Sequence, residues 1–446
     1  MSDTSKAMSI NAQPTKTFFI SMLVKDIPLI RAILDIVDNS VDGALRTRPS
    51  KDYSGLSVRL EIGGDRFRVA DNCGGIDWLL ARDYAFRFGR PDEMMPTEHS
   101  VGQFGVGMKR ALFKLGTAFT VESTAEKSRF TVNVDVEEWK NRPNDWTFAF
   151  SALEKNLSPI AEDQRGTNVT VTSLHDSVAE DFGLENFRTS IGKELEAAHQ
   201  LSMSRGLAIT LNGVPLNHRP AELLRSDQMQ PAYWEWSSTD SKPVRVQLWT
   251  GLADSVPGAG GWYVFCNGRM VLEADQTLTT GWGEGDEARI PKYHGQYARF
   301  RGYAFFDCDD ASLLPWNTTK TGVDSDSPLF VSIRQQMITL SRPVIDLLNK
   351  LKVERQGRDN EDDADDGPLT LAIKYAPRVP ITEVQAHSTF IPPKAATIQR
   401  MPQNGHIQYD KPIEEINKVK SKLKVRSYKE VGELTFDYFL DAECTE

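Results

Sequence analysis

The sequence predicts an α+β chain: a layer of helices on an antiparallel sheet, then a second α/β unit and a small C-terminal region. Three observations carry this. Residues 29–44 repeat apolar side chains at helical spacing, residues 56–69 alternate apolar and polar, and four strand-like segments follow without helices alternating between them. A regular βαβ alternation would have implied a parallel sheet instead.

Residues 1–13 are polar and read as a flexible N-terminus. The helix at 29–44 turns Leu29, Ile30, Ile33, Leu34, Ile36, Val37, Val41 and Ala44 to one side, and Asp26 followed by Pro28 suits its start. Its other face carries Asp35, Asp38, Asn39 and Asp42, at i, i+3, i+4 and i+7. Carboxylates stacked in this way repel by a few tenths of a kcal/mol per pair, which water can screen. The face is therefore either a solvated outer surface or a binding surface.

In "GLSVRLEIGGDRFRVADNCGGID", Leu56, Val58, Leu60 and Ile62 alternate with polar residues. Gly63-Gly64-Asp65 turn the chain, and Phe67 and Val69 resume the pattern of a hairpin with one buried face. Residues 89–100 have no periodicity and look like a mobile loop. "VGQFGVGMKRALFKLG" leads glycines into a helix, and strand-like segments follow at 117–123, 129–136, 146–151 and 167–173. From about residue 200 the second unit begins, with strands at 207–211, 244–250 and 262–273. The last is folded by the Asn267-Gly268 turn signal. A helix at 327–350 closes it. The predicted organisation is 1–13, 14–200, 201–350, an acidic linker at 351–367 containing "GRDNEDDADDG", and a partly helical 368–446 holding Lys418, Lys420, Lys422, Lys424, Arg426 and Lys429.

At 446 residues the chain holds two or three domains. Its net charge of −10 argues against a general nucleic-acid coat while leaving room for a local basic patch. The four cysteines lie too far apart for a Cys-x-x-Cys metal site, and the seven histidines are scattered, so zinc chemistry is not expected. With no signal peptide or long apolar run, the expectation is a cytoplasmic protein without membrane association.

Two segments carry the chemistry. Glycines at 102, 105 and 107 let backbone N–H groups approach a phosphate, and a helix N-terminus follows. This is not a Walker A loop, because Met108 separates the last glycine from Lys109 and no Ser or Thr follows. Nor does it have the glycine order of a Rossmann loop. Asp71 ends a strand before Asn72-Cys73-Gly74-Gly75, a placement that suits recognition of an adenine amino group, with an Asx-type turn as the alternative. Gly166-Thr167 opens a later strand.

Together and in this order, these pieces resemble the GHKL ATPase superfamily of DNA gyrase B, the heat-shock chaperone of that class, MutL, MORC proteins and sensor histidine kinases. The resemblance spans about 150 residues: an N-box at Asp35–Asp42, an adenine motif at Asp71–Gly75, a lid at Gly102–Lys109 and a last motif at Gly166-Thr167. It implies a Bergerat-type α/β sandwich followed by an S5-like transducer domain. It also implies ATP and Mg²⁺ as cofactors and a nucleotide-dependent homodimer. In that pattern Asn39 holds the metal with Asp42 beside it, Asp71 and Gly75 form the adenine end, and Thr167 supports Asp71. Gly102, Gln103, Phe104, Gly105, Val106, Gly107, Met108 and Lys109 wrap the phosphates. Asp35 stands where hydrolysing members carry a Glu base, one methylene shorter, which implies slow turnover. Cys73 replaces a glycine of the adenine motif. "PWNTTKTGVD" resembles the gyrase-type loop that delivers a cation to the γ-phosphate, making Lys320 the candidate; a solvated loop lysine is the alternative.

The implied function is an ATP-gated dimeric switch, with DNA transactions or restriction-linked defence as the setting by analogy. An ATP-sensing or chaperone-like scaffold with negligible turnover is the alternative. A sensor kinase would need a phosphoacceptor His ahead of the ATPase domain, and no His precedes His99. The basic tract Lys418–Lys429 permits contact with DNA or a protein partner; a solvated helix face is its plain reading.

Overall fold

A computed structural model describes residues 13–89, 101, 107–283, 290–317, 319–358, 367–384, 389–393, 407 and 410–444. The fold is mixed α+β, as the sequence implies. Helix α2 (Leu29–Thr47) forms at the expected place, after α1 (Lys16–Lys25), which the sequence reading had not identified. Asp26 closes α1 as its C-cap and does not cap α2, which starts directly after Pro28. The Lys16 ammonium fastens α1 by donating to the carbonyls of Trp139 and Arg142, each at 2.7 Å.

These helices, with α3 (Gly107–Leu115), lie on a sheet of strands β1 (Ser57–Ile62), β2 (Phe67–Asp71), β3 (Gly116–Thr124), β4 (Arg129–Asp135), β5 (Ala152–Glu154), β6 (Gly166–Leu174), β7 (Ala208–Leu211) and β8 (Val214–Pro215), in the order β5-β4-β3-β6-β2-β1-β7-β8. Val58, Leu60, Ile62, Phe67 and Val69 all point into the core, as their alternation predicts. The register matters for the site. Val69 pairs with Val169 and Ser123 with Thr167, so Asp71, Thr167 and Ser123 meet at one end of the sheet.

Three expectations are corrected. The segment 146–151 is not a strand: Trp146, Phe148 and Phe150 alternate because they pack into an aromatic cluster, with Trp146 and Phe148 against Trp139 at 5.5 and 5.3 Å and Phe150 against Phe130. The strand at 208–211 was assigned to the second unit but joins the first sheet, pairing parallel with β1 through Ser57↔Ala208. The chain reaches it through α4 (Asp176–Gly183) and α5 (Glu185–Ala198), so the first layer extends past residue 200. The C-terminal region is also not separate from its start. After α7 (Pro368–Lys374), β15 (Arg378–Pro380) returns to pair with β9 (Glu222–Leu224).

The second unit has the sheet order β10-β11-β14-β12-β13, from β10 (Ala232–Ser237), β11 (Arg245–Leu252), β12 (Gly261–Cys266), β13 (Arg269–Asp275) and β14 (Phe300–Asp307). Helix α6 (Pro328–Arg358) covers it, longer than the predicted 327–350. The Asn267-Gly268 turn is present with φ of 47° and 80°, the paired positive values of a type I′ hairpin. It sets Arg269 at the first position of β13. Helices α8 (Ile413–Leu423) and α9 (Tyr428–Glu443) hold the basic tract on exposed surface. No helix among the described residues is long and apolar enough to cross a membrane.

Candidate functional site

The acidic face of α2 is not solvated. Asp35, Asp38 and Asp42 are 5%, 1% and 6% exposed, and Asn39 alone of the four is open to solvent. Carboxylates buried in this way need cations or donors, and each has found them.

Asp38 is the most enclosed. Arg269 Nε reaches its Oδ1 at 2.9 Å and Lys320 Nζ its Oδ2 at 2.7 Å, both from the second unit. His199, at the end of α5, approaches Oδ1 at 3.7 Å. Burial by itself would raise the Asp38 carboxyl, but the Lys320 and Arg269 charges overcome this and hold it down to about 2. Burial and the nearby Arg269 push His199 down to about 3, so it sits beside Asp38 as a neutral imidazole, not as an ion-pair partner. Lys320 would be lowered by burial, but Asp38 and Asp35 raise it and keep it charged. Its loop is braced by Asn317, whose Oδ1 accepts from Thr321 N at 2.9 Å and whose carbonyl accepts from Lys320 N at 3.0 Å. Lys320 itself stands at φ 53°, an unusual value for a residue with a side chain.

Asp35 accepts from Arg110 Nη2 at 2.6 Å on Oδ2, and Lys320 Nζ lies 3.6 Å from its Oδ1. Asp42 Oδ1 accepts the Val101 N–H at 2.7 Å, fixing the residue that precedes the glycine segment. Asn39 donates Nδ2 to the Asp35 carbonyl at 2.9 Å, which leaves its amide oxygen as an outward acceptor. This fits a Mg²⁺ ligand: an exposed neutral oxygen beside paired acids. Among the described residues, no group of three or more His, Cys, Asp or Glu could form a metal cage. Mg²⁺ does not require one, since it is commonly held by one or two protein oxygens together with phosphates.

At the other end, three donors converge on Asp71, one from α2, one from the turn after β2 and one from β6. Ser40 Oγ donates to Oδ2 at 2.7 Å, and Cys73 N and Thr167 N donate to Oδ1 at 2.9 and 3.2 Å. Burial raises the Asp71 carboxyl, and these three bonds work against it. A carboxylate offers about four acceptor positions, so one remains on the Oδ2 side for an amino group. Gly75 is required by space: at φ 70°, an added Cβ would come within 2.1 Å of the Thr124 carbonyl. The Cys73 side chain turns into the core while its backbone N–H serves Asp71, so the glycine it replaces is not missed.

Gly102, Gln103, Phe104, Gly105 and Val106 lie outside the described residues, as does most of the loop expected at 89–100. Gly107 opens α3 against Asp35, and Met108 is buried. Lys109, which the resemblance gave to the phosphates, turns away from the acids. Its ammonium donates to the Ala85 carbonyl at 2.9 Å, and burial lowers it to about 7. The cation that α3 does present to α2 is Arg110. Sequence reading missed Arg110, Arg269 and His199, and it placed Ser40 in the N-box without giving it a role. Only Arg269 had a local signal, since it follows the hairpin turn directly. A groove of about 460 Å³ crosses the opposite face of the sheet, lined by outward residues such as Arg59, Arg68, Glu122 and Asn168. Asp71 and Thr167 also line it.

Residues 27–167 match the family of histidine kinase-, DNA gyrase B- and HSP90-like ATPases. No curated protein matches the chain. The matched span runs from the start of α2 to Thr167, so it includes every acid described above but not Arg269 or Lys320.

The Asp38 pairing yields a stability prediction. Arg269→Met leaves a buried charge short of a partner and should lower the unfolding free energy by about 3–5 kcal/mol in urea titration. Adding Asp38→Asn to it should recover part of that loss. A single-variant effect below about 1 kcal/mol would show the pair to be solvated.

Proposed function

We propose, from the GHKL-type family match over residues 27–167 and the geometry joined to it, that the protein is a Mg²⁺-dependent ATPase and nucleotide-gated homodimeric switch. The observation that carries this is the contact of Lys320, from the second unit, with Asp38 and Asp35 on the helix that bears Asn39. A second-unit cation at that place ties the phosphate end of the site to the body that would move.

In this reading Asp71 accepts from the adenine amino group, with Ser40 and Thr167 orienting its carboxylate. Asn39 and its neighbour Asp42 mark the metal end, where Mg²⁺ when bound offsets phosphate charge. The segment Gly102–Gly107, with Met108, is assigned to the phosphates by its sequence. Asp35 positions the attacking water and takes its proton, and Lys320 senses the γ-phosphate. A second reading, an ATP sensor with negligible turnover, is favoured by one observation: both Asp35 oxygens already face cations. We also assign Lys418–Lys429, exposed on α8 and α9, to salt-sensitive contact with an acidic partner, DNA being the first to test.

Asp71→Asn should weaken ATP at least about tenfold by calorimetry, through loss of a charge-assisted bond in a buried site. Asp35→Asn should keep ATP binding while turnover falls by roughly two to four orders of magnitude. Unchanged affinity in the first variant, or unchanged turnover in the second, would remove that residue from its role. Wild-type protein that binds ATP without measurable turnover would establish the sensor reading.

Light scattering should show more dimer with a non-hydrolysable ATP analogue, and Lys320→Met should cut that gain while leaving ADP affinity nearly unchanged. The same mass with and without nucleotide would rule out gating of assembly.

Deleting residues 412–446 should reduce retention on DNA at low salt, and raising the salt should do the same to the intact chain. Retention that survives the deletion would place the contact elsewhere.

A further inference from the structure

Arg110 lies in the first turn of α3, one residue beyond Lys109. A step of about 100° around the helix separates the two side chains, which sends Lys109 to Ala85 and Arg110 to the acids of α2. Its Nη2 sits 2.6 Å from Asp35 Oδ2, with the two side chains only 14% and 5% exposed. Its Nε is buried and has no hydrogen-bond partner among the described residues. A guanidinium carries five N–H donors in a fixed fork, so this one is under-used where water does not reach it. The other Asp35 oxygen faces Lys320 Nζ at 3.6 Å. In this arrangement the Asp35 oxygen that Arg110 holds is closed to water while the ion pair lasts, and a second anion is the group that best competes for the guanidinium. A terminal phosphate, which takes Arg in a bidentate fork, is the anion of the right chemistry.

We propose that Arg110 caps Asp35 in the nucleotide-free protein and transfers to the γ-phosphate of bound ATP, uncapping the base. The inference rests on the ATPase reading given above. In the step it permits, the water oxygen forms a bond to the γ-phosphorus while one water proton passes to Asp35. The bond from that phosphorus to the bridging oxygen breaks, and its electron pair leaves with ADP. Arg110 thus acts twice: it keeps the base idle without nucleotide, and it contacts only the phosphate that is cleaved.

The test measures affinity of the full chain for ADP and for a non-hydrolysable ATP analogue, in wild type, Arg110→Gln and Arg110→Lys, together with turnover. Arg110→Gln should weaken the analogue about tenfold while ADP stays within about twofold, because one charge-assisted contact to the last phosphate is lost. Turnover should fall in the same variant, and Arg110→Lys, which keeps the charge but loses the fork, should recover only part of the analogue affinity. A thermal-unfolding cycle of Arg110→Gln with Asp35→Asn should be non-additive without nucleotide and additive with the analogue bound. Equal losses for the analogue and ADP, no loss for either, or coupling that persists with the analogue bound would each overturn the transfer and leave Arg110 a structural ion pair. If wild type binds neither nucleotide, the ATPase reading falls and the transfer falls with it. If wild type binds both and only the ratio in Arg110→Gln stays unchanged, the transfer alone is wrong.

Discussion

Asp38 carries a charge into a place where almost no water reaches it, and the two units of the chain meet where that charge is satisfied. A lone buried carboxylate would be unfavourable by several kcal/mol, enough to protonate it or to unfold a marginal protein. Arg269 and Lys320 prevent this from positions 231 and 282 residues along the chain. Losing both partners at once would strand the carboxylate. The pair adds little net stability compared with apolar packing, but it fixes which hairpin and which loop of the second unit face α2. That register is what puts a lysine from one unit against Asp38 and Asp35, on the helix of the other that bears Asn39.

Much of this could be read from the chain, and the parts that could not share a physical cause. Helix α2, the β1–β2 hairpin and the Asn267-Gly268 turn are local patterns, decided by side-chain period and backbone preference over a few residues. The motif order from Asp35 to Thr167 was legible because phosphate and adenine chemistry restrict residue types at short spacing. The errors came where a local pattern had a distant reason. Trp146, Phe148 and Phe150 alternate like a strand, yet they fill a cluster around Trp139, Phe88 and Phe130. The strand at 208–211 is followed by second-unit strands in sequence, but its partner is β1. The four-residue polar face of α2 fits a solvated surface equally well until the cations are known. Lys109 and Arg110 are adjacent and equally basic on paper, and only the roll of α3 on α2 separates them.

The two ends of the site differ in the kind of partner that meets the acids. At the adenine end the partners of Asp71 are a hydroxyl and two backbone N–H groups, all neutral, and they work against the rise in pKa that burial causes in this carboxylate. It remains an acceptor with one open position. At the phosphate end the partners are cations, and the helix face is close to neutral before any ligand enters. On the proposed reading a triphosphate and its metal would add charge to a balanced site, and rearranging the ion pairs already present would keep that balance.

The arrangement of those pairs decides what can move. Lys320 is shared between Asp38 and Asp35, and Arg110 holds Asp35 from α3. Arg269 touches Asp38 from its other oxygen and also donates to the Met270 carbonyl, which ties it to its own strand. If phosphate oxygens draw Lys320 and Arg110 away, Asp38 keeps Arg269 and stays charged, so the units need not separate for the lysine to be recruited. The two mobile cations come from different bodies, α3 of the ATPase layer and the 315–324 loop of the second unit. One anion that gathers both would pull the two bodies toward the same point. On this reading the short Asp at position 35 is part of the device. A longer carboxylate would extend further from the helix, whereas Asp35 remains close to it, where Arg110 of α3 can cap it.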